Sequence, residues 1–253
     1  MIKSPIALGA FRKLVKELQA SERDVRPVVV GGAAELARTL ERELARGGDA
    51  SAVRVGAPKG GAVYVHLVAG DDGQALRAAR KARVPIVAVA SSAEPLPYVL
   101  APDVVVVGPG EPLPVDRIAA AVASKLGEDS APLAARLPVL RGPVCRRIVE
   151  AAARKNGLAA AALFVPGADL PVLTLNQVRM LLRLDQAYGL DLDPRERLPE
   201  IVATIGAGFG LRAVANELLD FVPVAGWAVK GGVAYAGTRG LGEAAVRRLE
   251  SLH

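Results

Sequence analysis

Residues 62–90 read AVYVHLVA-GDDG-QALRAARKA-R-VPIVAVA, and the fold class follows from how that stretch is built. Two apolar, β-branched runs, 62–69 and 84–90, bracket a Gly/Asp turn and a segment, 74–82, whose outer face carries Arg77, Arg80 and Lys81. A strand with one wet face alternates apolar and polar residues, so near-continuous Val/Ile runs indicate strands covered on both faces. Strand, helix and strand in this order make a βαβ unit with parallel strands. The same signals extend in both directions. Upstream come a strand at 27–30 ending in Gly31-Gly32, a helix at 33–46 with Leu36, Leu40 and Leu44 on one stripe, and a brief strand at 52–55. Downstream come a strand at 104–107 and a helix at 115–126. The pattern predicts an α/β domain over 1–127, a parallel sheet with helices on both faces. A basic amphipathic helix precedes it, with Ser4-Pro5 as its start and Phe11, Leu14, Val15 and Leu18 on one face.

Ligands of such sheets sit beyond the carboxyl ends of the strands. Gly31-Gly32, leading into a helix, offers N–H groups to an anion. The phosphate loop G-x-x-x-x-G-K-[ST] is absent, because Leu36, Ala37 and Arg38 stand where its glycine, lysine and hydroxyl would be. Asp71-Asp72 suits a helix N-cap better than a metal or carboxylate pair. His66, alternating with Val65 and Leu67, reads as a satisfied sheet histidine. Neither a Ser/His/Asp nor a Cys/His arrangement is legible, so no catalytic residue is assigned. With two histidines and one cysteine, Cys145, a His/Cys metal cluster and an internal disulfide are both excluded, and no cofactor is expected.

Residues 128–142, broken by Pro132 and Pro138, read as a linker, and 143–253 as an all-α domain. A helix from Pro143 stops at Asn156-Gly157, Thr174-x-x-Gln177 makes a capping box, and Asp193-Pro194 starts a further helix. The last part is rich in glycine. Between Asp220 and Arg239 Lys230 is the sole charge, and Pro223 breaks the apolar run. This predicts a helical hairpin whose glycines Gly206, Gly210, Gly226 and Gly232 let helices approach closely. In a membrane, Phe221, Val224, Trp227 and Tyr235 would meet lipid or a partner while Lys230 snorkels to the headgroups.

The formal charge of +6 favours acidic partners, yet 26 acidic residues are interspersed with 32 basic ones, as on an ordinary solvated surface. Arg77, Arg80, Lys81 and Arg83 form a patch with no aromatic neighbour in sequence, so nucleic acid is not expected as a partner. The N-terminal apolar patch is too short for a secretory signal, which points to the cytoplasm.

The second half resembles the YcjF-like family of bacterial proteins. The matching residues are Leu163-Phe164-Val165-Pro166-Gly167-Ala168-Asp169, Gln177, Met180 and Ala187-Tyr188-Gly189. They continue with Val222-Pro223-Val224-Ala225-Gly226 and Thr238-Arg239-Gly240-Leu241-Gly242. Pro166, Asp169, Gln177, Gly189, Thr238 and Gly242 are then the motif positions. The resemblance implies a helical domain that associates with membranes, without an assigned reaction, following a small GTPase domain of the Era type. By position the first half is similar to a shrunken, degenerate form of that domain. Gly56-Ala57-Pro58-Lys59 replaces the magnesium-side D-x-x-G, and Ser91-Ser92-Ala93-Glu94 the guanine-reading N-K-x-D. Nucleotide contacts, if retained, would be Gly31, Gly32, Asp71 and Glu94. The expectation is a non-catalytic, membrane-associated scaffold or interaction protein at the inner face of the cell membrane. It would bind membrane, a second copy or a protein partner through the hairpin. The alternatives are a nucleotide or small-molecule sensor and an atypical GTPase.

Overall fold

A computed structural model of the protein describes residues 14, 16–18, 20, 26–70, 72–162, 170–190 and 226–252. The chain divides into two compact units, Ser21–Val144 and Met1–Ala20 with Cys145–His253.

The first unit is α/β. Its strands are β1 (Val28–Gly32), β2 (Val53–Val55), β3 (Val63–Leu67), β4 (Ile86–Ala90) and β5 (Val104–Val106). Helix α1 (Ala34–Ala45) lies between β1 and β2, α2 (Gly73–Lys81) between β3 and β4, and α3 (Val115–Leu126) follows β5. All pairings are parallel in the order β2-β1-β3-β4-β5, with Val29 opposite Tyr64 and Tyr64 opposite Ile86. Strands made of Val, Ile and Ala suit this centre because β-branched side chains pack on a pleat buried on both sides. The row Val29–Tyr64–Ile86 is covered by Leu76 and Ala79 of α2. α1 packs with α3, and both line a cavity with Leu67 and Val89, which alternation puts on the opposite face. Between β2 and β3 the crossover is a loop. Residues 56–62 return beside Val29, pinned by Gly56 N–H to Val30 C=O (2.9 Å) and Ala62 N–H to Pro27 C=O (2.9 Å).

Residues 128–142, read as a linker, are helical. A short α4 (Ala131–Arg136) leads into α5 (Pro138–Ala162), and Ala131, Leu133, Ala134 and Leu137 are buried. The prolines do not break the chain here: Pro132 lies in the first turn of α4, where a missing N–H costs nothing, and Pro138 opens α5. Arg136 fixes the segment to the α/β unit, its Nε donating to Asp49 Oδ2 (2.9 Å) and its NH2 to Ser51 Oγ (2.8 Å).

The second unit contains the rest of α5, α6 (Leu170–Ala187) and α7 (Gly226–Ser251). Three expected helix boundaries are corrected, the first being the start at Pro143, which lies inside α5. α5 continues through Asn156-Gly157, because the Asn156 amide is buried and bonded to Leu173 C=O (3.3 Å) and Thr238 Oγ1 (2.9 Å). Thr174 and Gln177 lie inside α6, where Gln177 Nε2 reaches Thr238 Oγ1 (3.4 Å) instead of capping a backbone N–H. The N-terminal helix, expected to accompany the α/β domain, falls with this unit. Leu14 and Leu18 are buried, and Gln186 Nε2 donates to Leu18 C=O (3.1 Å). Among the described residues no helix is long and apolar enough to cross a membrane.

Candidate functional site

The two ends of the sheet differ in chemistry. At the carboxyl end a crevice of about 620 Å³ opens between the last residues of β3, β4 and β5, the start of α3 and one side of α1. Leu36, Val68, Val89 and Leu113 supply its apolar walls, and Glu43 and Glu111 its charges; its lining includes no lysine, arginine or histidine. Glu111 folds back to accept from Gly108 N–H (3.0 Å), and Glu43 pairs with Arg46 (2.5 Å).

Of the sequence-read nucleotide positions, Gly31, Gly32 and Glu94 border this end without lining the crevice. Gly32 has φ +94°, and a β-carbon there would overlap the Leu67 carbonyl, so only glycine fits. The next N–H, that of Ala33, is taken by Leu67 C=O (3.1 Å) and turned away from any anion. Gly31 lies under the Tyr64 ring. Glu94 is exposed in the loop after β4. Asp71 lies outside the described residues.

Asp72 stands at the N-cap position of α2 as expected, and its side chain is corrected from a cap to the end of a buried polar chain. Its side chain does not cap α2; Oδ2 turns back to accept from Ala69 N–H (3.0 Å) and Gly70 N–H (3.1 Å). Oδ1 lies 2.8 Å from His66 Nε2, a close electrostatic pair although the ring N–H does not aim straight at the oxygen. His66 Nδ1 meets the Tyr64 hydroxyl at 3.0 Å. With Nε2 protonated toward the carboxylate, Nδ1 accepts and the phenol donates. Burial by itself raises the Asp72 carboxyl, but His66 and the two backbone N–H groups outweigh it and hold the carboxyl below its ordinary value. Burial, and then the Asp72 charge, raise the Tyr64 phenol. Tyr64 and His66 are 2% and 1% exposed, too enclosed to touch a substrate, so the chain fixes the turn after β3. Sequence reading placed His66 within the sheet but missed Tyr64 and Asp72 beside it. The available signal was Tyr64 two residues before His66, on the same strand face.

At the amino-terminal end lies a second cavity of about 500 Å³, bordered by Arg80, Arg83, Tyr98, Leu100 and Lys125. The fold thus gives the basic patch the aromatic neighbour that the linear sequence withholds. Lys125 also pairs with Asp103 at this site.

In the helical unit the close-approach glycines are Gly157 and Gly231. A β-carbon on Gly231 would stand 3.0 Å from Gly157 O, and one on Gly157 3.2 Å from Gly231 O. Gly232 faces open space, and Gly206 and Gly210 lie outside the described residues. Gly226 opens α7, which also carries Trp227. Phe221, Val224, Pro166 and Asp169 lie outside the described residues, as does the break at Pro223. Tyr235 donates to Glu150 Oε2 (2.9 Å) from a half-buried position, and Lys230 is half-buried. Gln177 and Thr238 meet in the buried Asn156 network, Gly242 packs on Val149 and Met180, and Gly189 (φ +74°) ends α6. No protein-family model, curated protein or solved structure matches the chain.

Proposed function

We propose that this is a non-catalytic interaction protein, membrane-associated, whose α/β unit keeps a nucleotide-binding-like architecture without the groups that handle phosphate. One observation carries the reading: the crevice at the carboxyl end, where ligands of such sheets bind, presents Glu43 and Glu111 and no cation. Phosphoryl transfer depends on electrostatic clamping of a polyanion, and a lining without lysine, arginine or histidine supplies no cation for it. The resemblance of the first half to a degenerate Era-type GTPase domain, and of the second to YcjF-like proteins, agrees with this reading.

The test is titration of the full chain with GTP, ATP and their diphosphates in magnesium, with phosphate release followed in parallel. The expected result is neither saturable binding in the micromolar range nor turnover. Phosphate release above a no-protein control overturns the proposal. A second reading, a sensor of a small molecule, has the crevice itself in its favour. Its apolar walls and two carboxylates suit a neutral or cationic apolar ligand. Thermal shift against small amines of that class discriminates the two readings.

A further inference from the structure

We propose that the amino-terminal end of the sheet is a docking surface for an anionic phospholipid membrane, with Arg80 and Arg83 facing lipid phosphates and Tyr98 and Leu100 entering the interface. The inference deepens the membrane-associated reading above and rests on it. Three independent observations support it.

The first is charge. From Gly73 to Ala93 the chain carries Arg77, Arg80, Lys81 and Arg83 and no acidic residue. All four are exposed, and among the described residues no carboxylate pairs with them. Juxtaposed cations are attracted to an anionic leaflet by about fivefold in affinity each.

The second is backbone geometry. Among the described residues the non-glycine positions with positive φ are Arg83 (56°) and Tyr98 (66°), and both border the cavity of about 500 Å³. Arg83 ends α2 in a Schellman turn, with Arg83 N–H donating to Arg80 C=O (3.0 Å) and Val84 N–H to Ala79 C=O (3.0 Å). Glycine is the residue that position ordinarily takes. Tyr98 is held left-handed between Leu96 and Val99, which pack on the core under α2. Residues held in a sparsely populated conformation are a pointer to function. Here the conformation places a guanidinium and a phenol at the same opening.

The third is the exposure of apolar groups. Tyr98 is 47% exposed and Leu100 69%. They are among the most exposed members of the patch rather than the floor of a groove, so they suit insertion into an interface better than reception of a peptide. An aromatic ring with an aliphatic neighbour is the mixture found at headgroup level. A single-stranded nucleic acid would call for a series of stacking planes, and among the described residues this opening has one ring, Tyr98.

The experiment uses the full chain with phosphatidylcholine vesicles, with and without phosphatidylserine. The wild type should sediment with the anionic vesicles and release as salt rises. Arg80→Glu/Arg83→Glu should bind at least about twentyfold more weakly, from two cations at about fivefold each. Leu100→Ser should weaken binding severalfold at unchanged salt dependence. Arg83→Gly separates docking from folding: it should raise Tm by about 2–4 °C and still lose about fivefold in vesicle affinity. Undiminished binding by the double variant overturns the inference. So does loss of binding by Trp227→Glu alone, which leaves the wider membrane reading intact. Wild-type protein that ignores both vesicles but binds a short oligonucleotide or polyglutamate through Arg80 and Arg83 also overturns it. The self-association arm of the wider reading is then judged separately, by the oligomeric state of Trp227→Glu.

Discussion

The carboxyl and amino ends of one five-stranded sheet have opposite characters. The carboxyl end is tightly determined. Gly32 sits against the Leu67 carbonyl, Asp72 is tied to His66 and two backbone N–H groups, and the crevice beyond carries glutamates. The amino end holds Arg80 and Arg83, which pair with no carboxylate among the described residues, two left-handed non-glycine residues and exposed Tyr98 and Leu100. Side chains turn inward onto the fold at the end where doubly wound sheets ordinarily bind ligands, and several turn outward to solvent at the other. Strain and unpaired charge persist where something outside the fold gains from them.

The largest effect is expected at Gly32. Gly32→Ala places a β-carbon on the Leu67 carbonyl at φ +94°, and should cost more than about 3 kcal/mol. Urea unfolding reads it directly; a change below about 1 kcal/mol would mean that the turn relaxes and the end is not tightly built.

Next is Asp72→Ala, which leaves His66 and two backbone N–H groups without their acceptor and should cost about 1–3 kcal/mol. The sign with pH follows from the depressed carboxyl. Its stabilisation is present in full above about pH 4 and is lost as pH falls through the folded value. Stability measured from pH 7 downward should therefore show a shallower acid limb in the variant than in the wild type. Parallel limbs would remove Asp72 from the clamp.

At the other end the sign reverses. Arg83→Gly relieves a left-handed arginine and should stabilise by about 1 kcal/mol. Destabilisation would show that the arginine side chain supports the fold, contrary to a role directed outward. The smallest effect is expected from Glu111→Ala, which removes an exposed side-chain bond to Gly108 N–H at a cost of about 0.5 kcal/mol. A loss of several kcal/mol there would make the crevice wall structural.

Much of the fold was legible in short runs. The strands around Val28, Val63, Ile86 and Val104, and the helix Val115–Leu126, follow from periodicity because that signal lies within a few adjacent residues. The same local reasoning failed where a polar or small residue had a distant partner. Asn156-Gly157 looks like a helix stop in isolation. In the fold Asn156 bonds to Thr238 and Gly157 admits Gly231, so the helix runs through both. Thr174-x-x-Gln177 has the form of a cap, but the Gln177 amide lies within reach of Thr238.

The parallel α/β class, the absence of the phosphate-loop motif and the basic run on α2 were legible in the sequence, since each is a matter of residue type at fixed spacing. Tertiary structure alone decided that Asp72 turns back to His66 and that Tyr98 comes to stand beside Arg83. The physical reason is that a side chain's neighbours are set by strand register and by where crossovers return. Those depend on the packing of the whole core, so no window of sequence contains them.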